Sequence, residues 1–271
     1  MKADEKSFSL KGLVAILVVC GLAAGGFIFA VLCLKCDVEG LGREFRVSQA
    51  NRQYEIVRIC EQLEILRNKN SGIRQQMLNE AMKSVVHICV DSPMGSWQGS
   101  GSYVGDGLIL TAGHVVEGAT SFRCTFNDGL VIDSTKSFQC QDFDAGFIYI
   151  GDDVNEPALE FDLTPVLVGD DVYCLGNPYG WPLRFTATFG MVSAVGRDMD
   201  GFFGSKLMYQ ADFAAYPGNS GGPVLNPSGQ IVGILVGGFA NADCISLCVP
   251  SEPMDASRLV YLAMLYVESI K

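Results

Sequence analysis

Hydrophobic and polar positions divide the chain into three stretches of different rhythm. From Gly12 to Leu34, 23 consecutive residues carry no charge and are mostly apolar, bracketed by Lys11 and Lys35. A run of that length matches what is needed to cross the hydrocarbon of a bilayer. The expectation is an N-terminal tail at 1–11 and a single transmembrane helix at 12–34, which would attach the chain to a membrane. A cleaved signal peptide competes, but it calls for a shorter apolar core and a small-x-small site. Phe29-Ala30-Val31-Leu32 does not offer one clearly. Val19 before Cys20 and Leu32 before Cys33 do not suit a lipoprotein site either. Lys2, Lys6 and Lys11 on one side nearly balance Lys35, Arg43, Arg46 and Arg52 on the other, so the positive-inside rule leaves orientation open.

Residues 43–69 contain no Pro or Gly, and Ile56, Ile59, Leu63 and Leu66 recur at spacings of 3, 4 and 3. That is the a/d rhythm of a helix seam. Two readings stand: a coiled-coil stalk over 35–82 that sets a homo-oligomeric state, or one amphipathic helix lying on the following domain. Asn70-Ser71-Gly72 also offers a helix end. Gly21 and Gly25 form a GxxxG pair that permits close helix approach in a membrane.

After Lys83 the rhythm changes to short apolar, β-branched runs separated by turns. Strands are predicted at Ser84–Val90, Gly107–Thr111, Ser121–Phe126, Gly146–Ile150, Asp171–Leu175, Thr186–Val192, Lys206–Gln210 and Gln230–Val236. Asn127-Asp128-Gly129 supplies a tight hairpin. Such a pattern over residues 83–271 suffices for two small closed barrels packed together. From Ser251, past Pro253, the positions of Met254, Leu259, Leu262, Leu265 and Val267 predict a closing helix.

Charge narrows the function. Past residue 82 there are 8 Lys and Arg against 21 Asp and Glu. Nucleic-acid binding is built on clustered positive charge, so that class is excluded. The ten cysteines fall at 20, 33, 36, 60, 89, 124, 140, 174, 244 and 248. Six in the domain permit disulfides without requiring them. Cys244-x3-Cys248 lacks a second ligand pair for zinc. No metal ion and no cofactor is expected.

The densest turn is Tyr216-Pro217-Gly218-Asn219-Ser220-Gly221-Gly222-Pro223, one serine hydroxyl among glycines before an apolar strand. Acyl transfer needs a nucleophile beside two N–H donors placed where the oxyanion will form, and the N–H groups of Gly218 and Ser220 are the candidates. Serine needs a neighbouring base. Of the two histidines, His114 follows a strand end in Thr111-Ala112-Gly113-His114, whereas His87 lies within an alternating run and reads as structural. The base in turn needs a carboxylate to fix its tautomer. Asp144, just before the strand at Gly146, is preferred to Asp142. The order His, Asp, Ser belongs to trypsin-like double barrels.

With these residues in place, the domain resembles the HtrA/Deg branch of the trypsin-like serine peptidases over nearly all of 83–251. The likeness rests on Ser84-Val85-Val86, Gly99-Ser100-Gly101-Ser102, Thr111 to His114, Asn127-Asp128-Gly129 and Val168-Gly169-Asp170. It continues through Gly176-Asn177-Pro178-Tyr179-Gly180, Gly190 to Ala194, Gln210-Ala211-Asp212, Pro217 to Gly222 and Val249-Pro250-Ser251. It implies an all-β fold of two six-stranded antiparallel barrels and a serine endopeptidase acting on polypeptide substrates. His114 would be the general base, Asp144 its orienter and Ser220 the nucleophile. Family members commonly carry C-terminal PDZ domains; here the chain stops about 20 residues past Ser251, and no PDZ domain is expected. Gly146 stands where the family usually has Ala.

The residue six before the nucleophile is Ala214, the wall strand is Ile234-Leu235-Val236, and the substrate's place lies beside Val236-Gly237-Gly238. With no acid there, cleavage is expected after small or medium apolar residues, with the substrate bound as an added strand. Two other readings remain open: a non-catalytic module that keeps the cleft to capture peptides, and a protease whose loops at 180–185 and 197–204 order only on oligomerisation or substrate binding.

Overall fold

The computed structural model describes residues 10–199, 201, 207–239, 242 and 244–269; through most of 10–50 it describes the backbone only. Two compact units divide at residue 71. In the first, the described residues, 10–70, lie within helix α1, which spans Leu10–Lys83. Tyr54, Ile56, Ile59, Leu63 and Leu66 are exposed along it. Among the described residues no helix is long and apolar enough to cross a membrane. The expected span at 12–34 lies, in nearly all its side chains, outside the described residues.

The helix end offered by Asn70-Ser71-Gly72 is not taken, and α1 runs on to Lys83. A helical glycine costs about 1 kcal/mol relative to alanine. Beyond it, Ala81 is buried and Met77, Leu78 and Met82 pack on the core of the second unit, which offsets that cost.

The second unit is two antiparallel sheets. The first has seven segments: β1 Val85–Ser92, β2 Gly95–Tyr103, β3 Leu108–Thr111, β4 Ser121–Phe126, β5 Val131–Ser134, β6 Lys136–Gln139 and β7 Gly146–Tyr149, in the order β5-β4-β1-β2-β3-β7-β6. Six strands were expected here. The seventh arises because Thr135 alone separates β5 from β6. One bent stretch therefore supplies both edges of the sheet, and the edges meet at that residue. The second sheet is a closed six-stranded barrel: β8 Asp171–Gly176, β9 Thr186–Arg197, β10 Met208–Ala211, β11 Pro223–Leu225, β12 Ile231–Gly238 and β13 Ser246–Pro250. Residues 200 and 202–206, in and beside the loop at 197–204, lie outside the described residues, as does the predicted strand start at residue 206.

Three cores explain why so many strands read as unbroken apolar runs. In β3, Ile109 points into the first barrel while Leu108 and Leu110 face a core shared by both barrels. In β12, Val232 and Leu235 fill the second barrel, and Ile231, Ile234 and Val236 face the shared core. In β3 alternate residues thus serve different cores, as the two-residue period of a strand dictates, while in β12 that period slips by one residue at the bulge opposite Val224 and Leu225. A one-turn helix α2, Gly113–Val116, leaves β3, and helix α3, Ser251–Ser269, closes the unit. Met254 and Tyr261 of α3 are buried, and the Tyr261 ring stacks on Phe138 at 5.2 Å. Leu259 is exposed instead of packed, and the Val267 side chain is outside the described residues.

Candidate active site

β3 delivers the chain to α2, where Gly113, Val115 and Val116 are buried. The Trp97 indole N–H donates to the Val115 carbonyl at 3.0 Å and fixes the turn. His114, the one exposed residue of that turn, is left facing outward. Asp144 holds it twice. Its Oδ1 accepts the His114 backbone N–H at 2.8 Å, and its Oδ2 lies 2.7 Å from His114 Nδ1. A carboxylate only accepts, so a neutral imidazole here donates from Nδ1 and keeps its lone pair at Nε2. Gly113 allows this approach, since a Cβ there would come within 2.9 Å of Asp144 Oδ1.

The turn at 216–222 is equally constrained. The Asn219 N–H donates to the Tyr216 carbonyl at 3.0 Å, the Gly221 N–H to Leu235 at 2.7 Å and the Gly222 N–H to Asn219 at 2.9 Å. The N–H groups of Gly218 and Ser220 make no hydrogen bond among the described residues. Gly218 has φ +99° and Gly221 φ +83°, the left-handed region in which glycine carries no steric penalty. A Cβ on Gly221 would run into the Ser100 carbonyl and Thr111 Oγ1, so the loop lies backbone to backbone against the first barrel.

The Ser220 hydroxyl donates to the Val236 carbonyl at 3.0 Å. Its bond is to β12, and the structure shows none to His114. Beside it opens a cleft of about 740 Å³ lined by Ala214, Tyr216, Ser220, Leu235, Gly237 and Phe239, among others. No charged side chain lines it among the described residues. Val236 turns its side chain into the shared core and contributes its carbonyl. Tyr179, also on the cleft wall, packs against Tyr216 with ring centroids 5.7 Å apart.

The remaining candidates lie elsewhere. His87 is buried, with Nε2 2.9 Å from Gln98 Oε1. Burial, then the nearby Arg184 charge, holds its pKa below 6.5 against that hydrogen bond. The domain cysteines are free, Cys244 exposed on the cleft and Cys248 buried in the second barrel. Burial pushes the thiols of Cys124 and Cys174 up to about 12, so neither is a nucleophile near neutral pH. Sequence reasoning passed over Ser100 and Asn177, both fully buried and bonded to each other where the barrels meet. Their only signal was a polar residue within each of two glycine-flanked motifs.

The family model described as the trypsin-like peptidase domain matches residues 99–234, half of the chain, and the chain belongs to that family. Its similarities run to the HtrA-type members, as the motifs imply. A probable periplasmic serine endoprotease, DegP-like, of Chlamydia pneumoniae is 36% identical over 159 residues, 57% of this chain and 32% of the relative. The serine protease Do-like HtrA of Bacillus subtilis is 38% identical over 155 residues, 53% of this chain and 34% of the relative. The chain thus spans about a third of the length of these relatives. Among solved structures, the HtrA-type protease AlgW with tripeptide is 26% identical at a TM-score of 0.60, covering 66% of this chain and 60% of that one. The serine endoprotease from Yersinia pestis is 26% identical at 0.59, covering 68% and 64%.

Proposed function

We propose that this chain is a serine endopeptidase in which His114, Asp144 and Ser220 act together on polypeptide substrates. The observation that carries this reading is the doubly held His114, whose tautomer leaves Nε2 as a base. In the proposed cycle the Ser220 hydroxyl rotates from Val236 toward Nε2, a χ1 change between staggered positions. Oγ attacks the substrate carbonyl as its proton passes to Nε2. The oxyanion falls to the N–H groups of Gly218 and Ser220, the imidazolium is stabilised by Asp144, and its proton then goes to the leaving amine. Water hydrolyses the acyl-enzyme by the same steps in reverse.

A cleft beside Ser220 that no charged side chain lines among the described residues supports cleavage after small or medium apolar residues. The apolar run at 12–34 supports single-pass membrane attachment. Exposed Ile56, Ile59, Leu63 and Leu66 support a coiled-coil stalk joining copies of the chain, with Gly21 and Gly25 as a second contact. The bond from Ser220 to Val236 favours a second reading, a peptide-capturing module with an idle hydroxyl.

A fluorophosphonate probe applied to the full chain in detergent decides between them. Covalent labelling that disappears in Ser220→Ala and His114→Ala is the expected result. No labelling of the parent chain, with or without added apolar peptide, overturns the enzymatic reading.

A further inference from the structure

Ser100 lies in β2 of the first barrel with no exposed surface, yet its polar atoms reach across to the serine loop of the second. Its hydroxyl donates to the Gly218 carbonyl at 2.7 Å. The hydroxyl oxygen accepts the Asn177 backbone N–H at 2.8 Å and Asn177 Nδ2 at 3.1 Å. One donor and two lone pairs are the whole capacity of a serine hydroxyl, so the rotor is locked with its proton on Gly218. The Ser100 backbone N–H donates to the Ser220 carbonyl at 2.8 Å. The two loop carbonyls that Ser100 holds therefore belong to the two residues whose own N–H groups have no partner among the described residues.

The peptide on the other side of Gly218 is pinned as well. The Pro217 carbonyl accepts the Tyr179 N–H at 2.7 Å. In a trans peptide the N–H points opposite the carbonyl, so the Gly218 N–H is aimed away from Tyr179. At φ +99° glycine could turn either flanking plane with little steric resistance. Of the two planes, only that of the Gly218 carbonyl is held by a side chain.

We propose that Ser100 is a positioning residue for the oxyanion site: its hydroxyl clamps the Gly218 carbonyl and so fixes the peptide plane on one side of the Gly218 Cα, which keeps the plane on the other side, held by Tyr179 and carrying the Gly218 N–H, aimed before substrate arrives. Asn177 completes the clamp by occupying both lone pairs of that hydroxyl. The inference rests on the reading of Gly218 and Ser220 as oxyanion donors.

The test compares the full chain with Ser100→Ala on an apolar peptide substrate, together with two inhibitors of the same sequence. One is a peptide aldehyde, which forms a tetrahedral adduct with serine, and the other an unreactive peptide amide. Loss of orientation at one donor should lower kcat by about 10- to 100-fold. KM and the amide Ki should stay within about twofold, while the aldehyde Ki rises in step with the fall in kcat. Ser100→Cys keeps a similar shape and a weaker donor; it should show the same split with a smaller loss, and it serves where the alanine variant does not fold. A kcat unchanged in the folded variants, or aldehyde and amide affinities falling together, overturns the clamp while leaving the enzymatic reading intact. A parent chain without Ser220-dependent fluorophosphonate labelling overturns both.

Discussion

The two halves of the candidate triad are prepared to different degrees. In the first barrel, His114 and Asp144 are fixed to each other by two hydrogen bonds and braced by buried neighbours. In the second, the backbone around Ser220 is just as well fixed, but the hydroxyl is bound to Val236. A base depends on tautomer and orientation, which the fold can set permanently. In the proposed cycle the nucleophile must first leave its resting bond to a main-chain carbonyl, and that bond is a shallow well: a neutral hydrogen bond contributes roughly 0.5–1.5 kcal/mol net.

Removing the nucleophile should separate the halves most sharply. Ser220→Ala is expected to reduce kcat on an apolar peptide on the order of 10⁶-fold, and its thermal melt should stay near the parent's, because only the bond to Val236 is lost. Next comes the carboxylate. Asp144→Asn should lower kcat by about 10⁴-fold through the wrong tautomer, whereas Asp142→Asn should change it by less than about twofold, surface changes usually being small. Equal losses in the two variants would mean that the chain before β7 was read in the wrong register. Gly221→Ala attacks the seam, and urea titration should show it destabilised by about 3 kcal/mol or more, from a strained φ combined with backbone overlap.

The smallest effect concerns pH. Because the folded chain holds His87 below 6.5, the unfolded chain binds this proton first. The stability His87 contributes is complete above that pH and is lost as pH falls through 6.5 toward the folded value. The difference in stability between His87→Gln and the parent should therefore vary with pH in this window, the variant losing less on acidification. A difference that is flat from pH 7.5 to pH 5 would refute the assignment.

Much of the second unit could be read from residue order alone, because strands buried on both faces, such as β3 and β12, announce themselves as apolar runs. β5 and β6 escaped because each is an exposed half-strand carrying polar residues such as Asp133, Lys136 and Gln139. β2 escaped for the opposite reason: Gly-Ser-Gly-Ser resembles a turn, yet glycine is required there. A Cβ at Gly99 would come within 2.8 Å of Val115, and one at Gly101 within 2.6 Å of Ile109. Where β2 runs past them, only a bare backbone fits. The grouping of His114 with Asp144 was within reach because each sits at a strand end. The resting bond of Ser220 was not, since a rotamer leaves no trace in residue order. Nor were Ser100 and Asn177, whose meaning depends on a contact 77 positions apart.

The seam between the barrels also bears on how the proposed peptidase could change its substrates. Across it, Ser100 and Gly221 meet through main chain, and the Ser220 carbonyl is held by a backbone N–H. Contacts of that kind are indifferent to the side chains that line the neighbouring cleft. Ala214 and Phe239, which line that cleft and are not fully buried, could be exchanged for larger, smaller or charged residues with the Ser220 backbone held in place, whereas Leu235 is bound to its size because its side chain fills the second barrel. Under the proposed activity, selectivity is thereby left free to drift, in evolution or at the bench, on a seam held largely by atoms that every residue shares.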